Sequence, residues 1–188
     1  MTGRLVYVVG PSGAGKDSVM EYARTRLPAS AGVIFTRRFI TREPASGGEQ
    51  HIPVSATDFE RMRLQGHFAL NWDANGLRYG IGREIRTWMD LGFHVVANGS
   101  REYLPTALKH FPDALVICIT ASIETIRSRL NQRQRESDHD IEKRIQRTTV
   151  LSLPSGCRVT TIINEGALEA AGDTLITSLL ALNPKIPA

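Results

Sequence analysis

The apolar positions of this chain fall into short continuous runs, separated by longer stretches with a helical beat. Runs near 4–9, 33–36, 93–98, 114–119 and 159–163 read as strands. They are rich in Val and Ile, as strands of a largely buried sheet are. Stretches near 16–27, 56–65, 83–91, 100–110, 122–134, 138–152 and 166–182 read as helices. This alternation predicts an α/β fold, with a five-stranded, mainly parallel sheet flanked by helices. Thr57 and Glu60 fit a capping box for the second helix, and Gly92 fits the stop of the third.

Two regions break the alternation. Residues 37–55 form a polar stretch rich in Arg, Gly and Glu, ending in the short run 51–54. Residues 66–82 carry aromatics and glycines around Asn75-Gly76, a hairpin turn signal. Together, 37–82 predict an insertion over the active edge of the sheet. Residues 127–147 are densely charged and helical, and predict a lid. Residues 183–188 read as a frayed tail. No repeat or low-complexity tract divides the chain, so one domain over 1–188 is expected.

The sharpest chemistry lies just after the first run. Gly10, Pro11, Ser12, Gly13, Ala14, Gly15, Lys16, Asp17 and Ser18 form a strand–glycine loop–helix transition. This is the setting of a phosphate-binding loop. Glycines let successive N–H groups converge on an anion, and the helix N-terminus adds its positive end. Lys16 then reaches the outer phosphates of a nucleoside triphosphate. The residue after the lysine is normally a hydroxyl that serves Mg²⁺, but here it is Asp17. A carboxylate is also a hard ligand for Mg²⁺, which makes Asp17 a candidate in the metal's first or second shell. Alternatively, it is a first-turn acid favoured by the helix dipole, with Ser18 or water serving the metal.

Composition narrows the class without fixing it. No apolar run approaches the roughly 20 residues that span a bilayer. The N-terminus lacks a signal pattern, so a cytoplasmic protein without membrane attachment is expected. Cys118 and Cys157 give neither a disulfide framework nor zinc spacing, and the 5 histidines are scattered. The formal net charge is +4, carried by 19 arginines and 4 lysines. Arginine suits bidentate phosphate recognition. The excess is too small to demand nucleic acid, and no nucleic-acid motif accompanies it.

The motifs resemble a family. Gly10 to Lys16, the R-F-I-T-R run ending at Arg42, the G-L-R-Y-G run at 76–80 and Arg129-x-x-x-Arg133 occur in guanylate kinase order over nearly the whole chain. The loop with its Asp17 more closely resembles a sister branch, the ribose 1,5-bisphosphate phosphokinases. So do I-T-R at 40–42, W-D-A-N-G-L at 72–77, Y-G at 79–80 and N-G-S-R at 98–101. The resemblance implies a P-loop kinase fold with ATP and Mg²⁺ as cofactors. It implies conversion of ribose 1,5-bisphosphate and ATP to 5-phosphoribosyl diphosphate and ADP, with a phosphorylated sugar as the small-molecule partner. Positions that read guanine in guanylate kinases fall on Arg38, on Leu70 and on the region of Asn98, where no carboxylate stands. A leucine cannot accept from guanine N–H groups. Base readers are lost while some phosphate readers remain, although a second acceptor arginine falls near Ala45.

By that resemblance Arg42 and Tyr79 hold the acceptor phosphate, with His51 in place of a tyrosine. Arg129, Arg133 and Arg144 are lid arginines that close on the transferring group, with Arg135 beside them. Lys16 and Arg42 join these three as the candidate catalytic residues. Arg38 supplies a cation for a second phosphate, or else pairs with Glu43 or Glu49. Asn98 and Arg101 are ribose or phosphate contacts, being just past a strand. Trp72 is expected in packing. The alternatives are a nucleoside monophosphate kinase with a rewired base pocket and a non-catalytic binding module. A monomer or a homodimer is expected.

Overall fold

The structure, a computed structural model, describes residues 2–43, 50–132, 142, 145 and 157–182. Along the chain run β1 (Leu5–Val9), α1 (Lys16–Arg26), β2 (Val33–Phe35), β3 (Phe39–Ile40), β4 (Ile52–Pro53) and α2 (Ala56–Leu64). Then come β5 (Phe68–Ala74), β6 (Leu77–Gly82), α3 (Glu84–Asp90), β7 (His94–Asn98) and α4 (Leu104–His110). The last are β8 (Leu115–Thr120), α5 (Ile123–Gln132), β9 (Val159–Ile163) and α6 (Leu168–Leu180). Five strands make the larger sheet in the order β2-β7-β1-β8-β9. Every pairing in it is parallel. The expected α/β architecture, an open parallel sheet with helices on its faces, is therefore what these residues build.

β1 is central and wholly buried because both its faces carry apolar side chains. Leu5, Tyr7 and Val9 join one core with Val95, Ala97, Leu104 and Ile85. Val6 and Val8 join the other, with Val19 and Ala23 of α1 and Leu175 and Leu179 of α6. Each fully buried aliphatic side chain of this kind contributes about 1.5–3 kcal/mol of transfer free energy. Such packing fixes the carboxyl ends of β1 and β7, where ligands of open α/β sheets bind.

The polar stretch and the aromatic stretch meet in a second sheet, ordered β4-β3-β6-β5. Its hairpin turns at Asn75-Gly76, with φ of 51° and 73°, the left-handed pair a tight turn between twisted strands requires. The core beneath it is continuous with the first core. Ile40, Leu70, Trp72, Tyr79 and Ile81 pack in the same cluster as Leu5 and Tyr7.

Two boundaries differ from expectation. Ser55, not Thr57, caps α2: its Oγ accepts the Asp58 N–H at 3.0 Å. Both serine and threonine precede an acid by three residues, and only the backbone entry angle separates them. α4 begins at Leu104 rather than 100, with Pro105 in its first turn, where a missing N–H costs nothing. Of the expected 138–152 helix only Glu142 and Ile145 are described, both helical; the tail at 183–188 lies outside the described residues. Gly92 ends α3 as expected, its N–H donating to Met89 O at 2.9 Å. No helix among the described residues is long and apolar enough to cross a membrane.

Candidate active site

The loop between β1 and α1 carries three glycines at positive φ: Gly10 at 153°, Gly13 at 87° and Gly15 at 83°. Gly10 sits under the main chain of β8, and a Cβ there would collide with the Ile119 carbonyl. A Gly10→Ala variant is expected to lose about 1–3 kcal/mol of stability through strained backbone. Its urea-unfolding midpoint should fall; an unmoved midpoint would mean the loop relaxes freely. Lys16 opens α1 and folds back over the loop. Its ammonium donates to the carbonyls of Gly10 at 3.0 Å and Pro11 at 3.2 Å.

The loop is braced from two sides at one atom. The Ala14 carbonyl accepts from Asn164 Nδ2 at 2.8 Å and from Arg129 Nη1 at 3.4 Å. Asn164 follows the last residue of β9 and is almost fully buried. Beside it, Glu165 accepts from the Ser122 N–H and from the hydroxyls of Ser122 and Thr125. These bonds hold the Glu165 carboxyl below the usual carboxylate range. They also tie β9 to the first turn of α5, which carries Arg129.

A cavity of about 590 Å³ opens in front of the loop. Lys16, Asp17, Arg38, Tyr79, Asn98 and Arg101 all line it. A second cavity, of about 540 Å³, shares Asp17, Arg38 and Asn98 with it and extends past Arg37 and Thr36. Burial lowers the Arg101 guanidinium pKa from its ordinary value, but an arginine keeps its charge in a protein. Arg38 lies over Tyr79, 5.0 Å from the ring centroid, and 6.0 Å from that of Trp72. Trp72 and Tyr79 are cross-strand partners stacked at 5.6 Å, and Tyr103 stacks on Trp72 at 5.4 Å. The rings give Arg38 a platform that is attractive without neutralising its charge.

Asp17 and Asn98 meet directly, Asn98 Nδ2 donating to Asp17 Oδ1 at 2.6 Å. Below them the Tyr7 ring packs against the backbone of Gly99, where a Cβ would overlap it. The Tyr7 hydroxyl accepts the Ser100 N–H at 3.0 Å. Burial pushes the Tyr7 pKa above its ordinary value, so this phenol stays neutral.

Two expected acceptor residues stand together elsewhere. Arg42 Nη2 lies 3.4 Å from His51 Nδ1, and His51 Nε2 lies 3.0 Å from the Arg42 carbonyl. Neither lines the two cavities. Arg42 Nε is buried with no hydrogen-bond partner among the described residues. Leu70 is only 1% exposed and presents nothing polar to the cleft. Arg133, Arg135 and Arg144 lie outside the described residues, as does Glu49. The sequence reading missed Tyr7, Tyr103, Asn164 and Glu165. Asn164 had a signal, a polar residue at the end of an apolar run; Tyr7 and Tyr103 looked like ordinary core.

A strand–loop–helix phosphate cradle on a parallel sheet, facing a cationic cleft, defines a P-loop phosphotransferase of the guanylate kinase-like type. The fold agrees. A guanylate kinase from Anaplasma phagocytophilum superposes with a TM-score of 0.66 at 17% identity, over 98% of this chain and 88% of that one. A sugar kinase from Janibacter superposes with a TM-score of 0.54 at 16% identity, over 99% of each. No family model matches the chain. Its curated relatives are nearer. The ribose 1,5-bisphosphate phosphokinase PhnN of Chromobacterium violaceum is 48% identical over 175 residues, 93% of this chain and 92% of that one. The protein of the same name from Thiobacillus denitrificans is 45% identical over 177 residues, 94% and 93% of the two chains. The chain belongs to the ribose 1,5-bisphosphate phosphokinase family.

Proposed function

We propose that this chain transfers the γ-phosphoryl group of ATP to the 1-phosphate of ribose 1,5-bisphosphate. An acceptor phosphate oxygen bonds to the γ-phosphorus as the bond from that phosphorus to the β–γ bridging oxygen breaks. The products are 5-phosphoribosyl 1-diphosphate and ADP. The observation that carries the reading is a cleft with cationic side chains at both ends and a buried leucine where a base reader would stand. The attacking oxygen is ionised near neutral pH, so no general base is needed. The work left is to align two anions and stabilise their charge with fixed dipoles and cations.

The placement of the described residues supports the following roles. Lys16 exchanges its loop carbonyls for β- and γ-phosphate oxygens. Arg38 and Arg101 face the acceptor, with Tyr79 and Asn98 on the same wall. Arg42 would offer its buried Nε to an anion, since an unmet buried N–H costs about 1–3 kcal/mol. His51 orients Arg42. Arg129, with Arg133 and Arg144 further along the chain, would close on the transferring group. In this scheme residues 37–82 supply the acceptor side and 127–147 the lid, within one domain.

Magnesium fits this site as an ion carried mainly by the nucleotide. Among the described residues no group of three or more His, Cys, Asp or Glu could hold a metal alone. Asp17, beside the loop, offers the hard oxygen that Mg²⁺ prefers as a supplement to phosphate ligands. When bound, the ion would supply charge neutralisation at the phosphates, with the Asp17 carboxylate held toward it. A cytoplasmic setting is proposed with this reading, where ATP and a sugar phosphate would both be at hand.

ADP release from Mg²⁺-ATP, measured with ribose 1,5-bisphosphate, GMP, AMP or no acceptor, tests the proposal. Ribose 1,5-bisphosphate should give the highest kcat/KM. Preference for GMP would replace the reading with a nucleotide kinase. Absence of turnover with every acceptor, despite ATP binding, would make the chain a binding module.

A further inference from the structure

In P-loop enzymes generally, the divalent ion is held by a loop Ser or Thr and by an aspartate at the end of a nearby strand. This chain has neither residue at those places. Asp17 follows Lys16, and Asn98 ends β7, the strand paired beside β1. The two side chains nevertheless meet, amide to carboxylate, at 2.6 Å across 81 residues of sequence. Asn98 is 4% exposed, so packing fixes where its amide points. Both residues line both cavities.

We infer that Asp17 and Asn98 are an exchanged metal-anchoring pair. The carboxylate stands on the loop instead of on the strand, and Asn98 is the positioning residue that holds it at the mouth of the cleft. The physical logic of the usual pair is preserved. There a hydroxyl donates to a carboxylate; here an amide does. Either arrangement carries one negative charge beside the phosphates and one hydrogen bond between loop and strand. Serine at 17 with asparagine at 98 would have no carboxylate. Alanine at 98 would leave the Asp17 carboxylate without the donor that aims it.

The inference rests on the ATP and magnesium half of the proposed function and is independent of the acceptor. Its test therefore uses no acceptor. ATP affinity of the full chain is measured by calorimetry with Mg²⁺ and again with EDTA, for wild type, Asp17→Ser, Asn98→Ala and Asp17→Ser/Asn98→Asp. The gain in affinity from Mg²⁺ should fall about 10–100-fold in each single variant, the usual loss when a ligand or its supporting partner is removed. The double variant should recover most of that gain. ATP binding in EDTA should change little throughout.

A double variant no better than Asp17→Ser overturns the exchange. An Asp17→Ser protein with a full response to Mg²⁺ overturns the anchor. An Asn98→Ala protein that melts earlier but keeps its Mg²⁺ response has lost only packing, and overturns the positioning role. If Asn98→Ala does not fold, the comparison of Asp17→Ser with the double variant decides alone. Failure of wild type to bind ATP at all would instead sink the kinase reading, so the two failures are distinct.

Discussion

Lys16→Ala is expected to lower kcat by about 10²–10⁴-fold, the range seen when one preorganised donor to a developing charge is removed. Lys16 is the first residue of α1, at the open end of the glycine loop, and its ammonium rests on the Gly10 and Pro11 carbonyls. Those bonds are short-range and replaceable, so the ammonium can follow phosphate oxygens as charge shifts toward the leaving group. An interaction that strengthens along the reaction coordinate appears in kcat, whereas uniform binding appears in KM. The fold should survive, because the apolar face of α1 is carried by Val19, Met20 and Ala23. Turnover kinetics beside a thermal melt check both halves. A Lys16→Ala enzyme that kept most of its turnover would place the stabilising charge elsewhere.

Arg38→Ala should reduce kcat/KM for ribose 1,5-bisphosphate by about 10–100-fold, since a hydrogen bond to a charged group contributes about 1.5–3 kcal/mol. The KM for ATP should barely move. Arg38 stands on the rings of Tyr79 and Trp72 and lines both cavities. An aromatic platform fixes a guanidinium plane while leaving its N–H edge for anions. Arg38→Lys should recover only part of the loss, because an ammonium cannot offer a planar fork. Steady-state kinetics with each substrate varied in turn separates these outcomes. An unchanged acceptor KM in Arg38→Ala would remove the residue from the site.

The large sheet and the loop were legible because their information is local. Residues 5–9 are an unbroken apolar run, and the next seven residues hold three glycines and the lysine. The small sheet was not. β3 and β4 have 2 residues each, too few to show any period. They exist because a hairpin supplies β6 as a template for β3, which in turn pairs β4, and the only local sign of that was Asn75-Gly76. The cleft was half legible. Asn98 and Arg101 stood out as polar residues just past a strand, and Arg38 through the family resemblance. Their partners did not, because stacking on Tyr79 and the Asp17 bond join residues far apart in sequence. Asn164 lies 150 residues from the Ala14 carbonyl it supports, and only the parallel course of β9 brings it there.

The Ala14 carbonyl has a consequence for the working cycle. Its two donors differ in kind: the Asn164 amide is buried at a strand end, whereas the Arg129 guanidinium is a long arm at only 3.4 Å. The loop thus has one permanent mooring and one that can be cast off. In the proposed reaction the γ-phosphate would draw the arginine away, Asn164 would keep the shape of the cradle, and α5 would stay hinged at its first turn, where Glu165 holds Ser122 and Thr125.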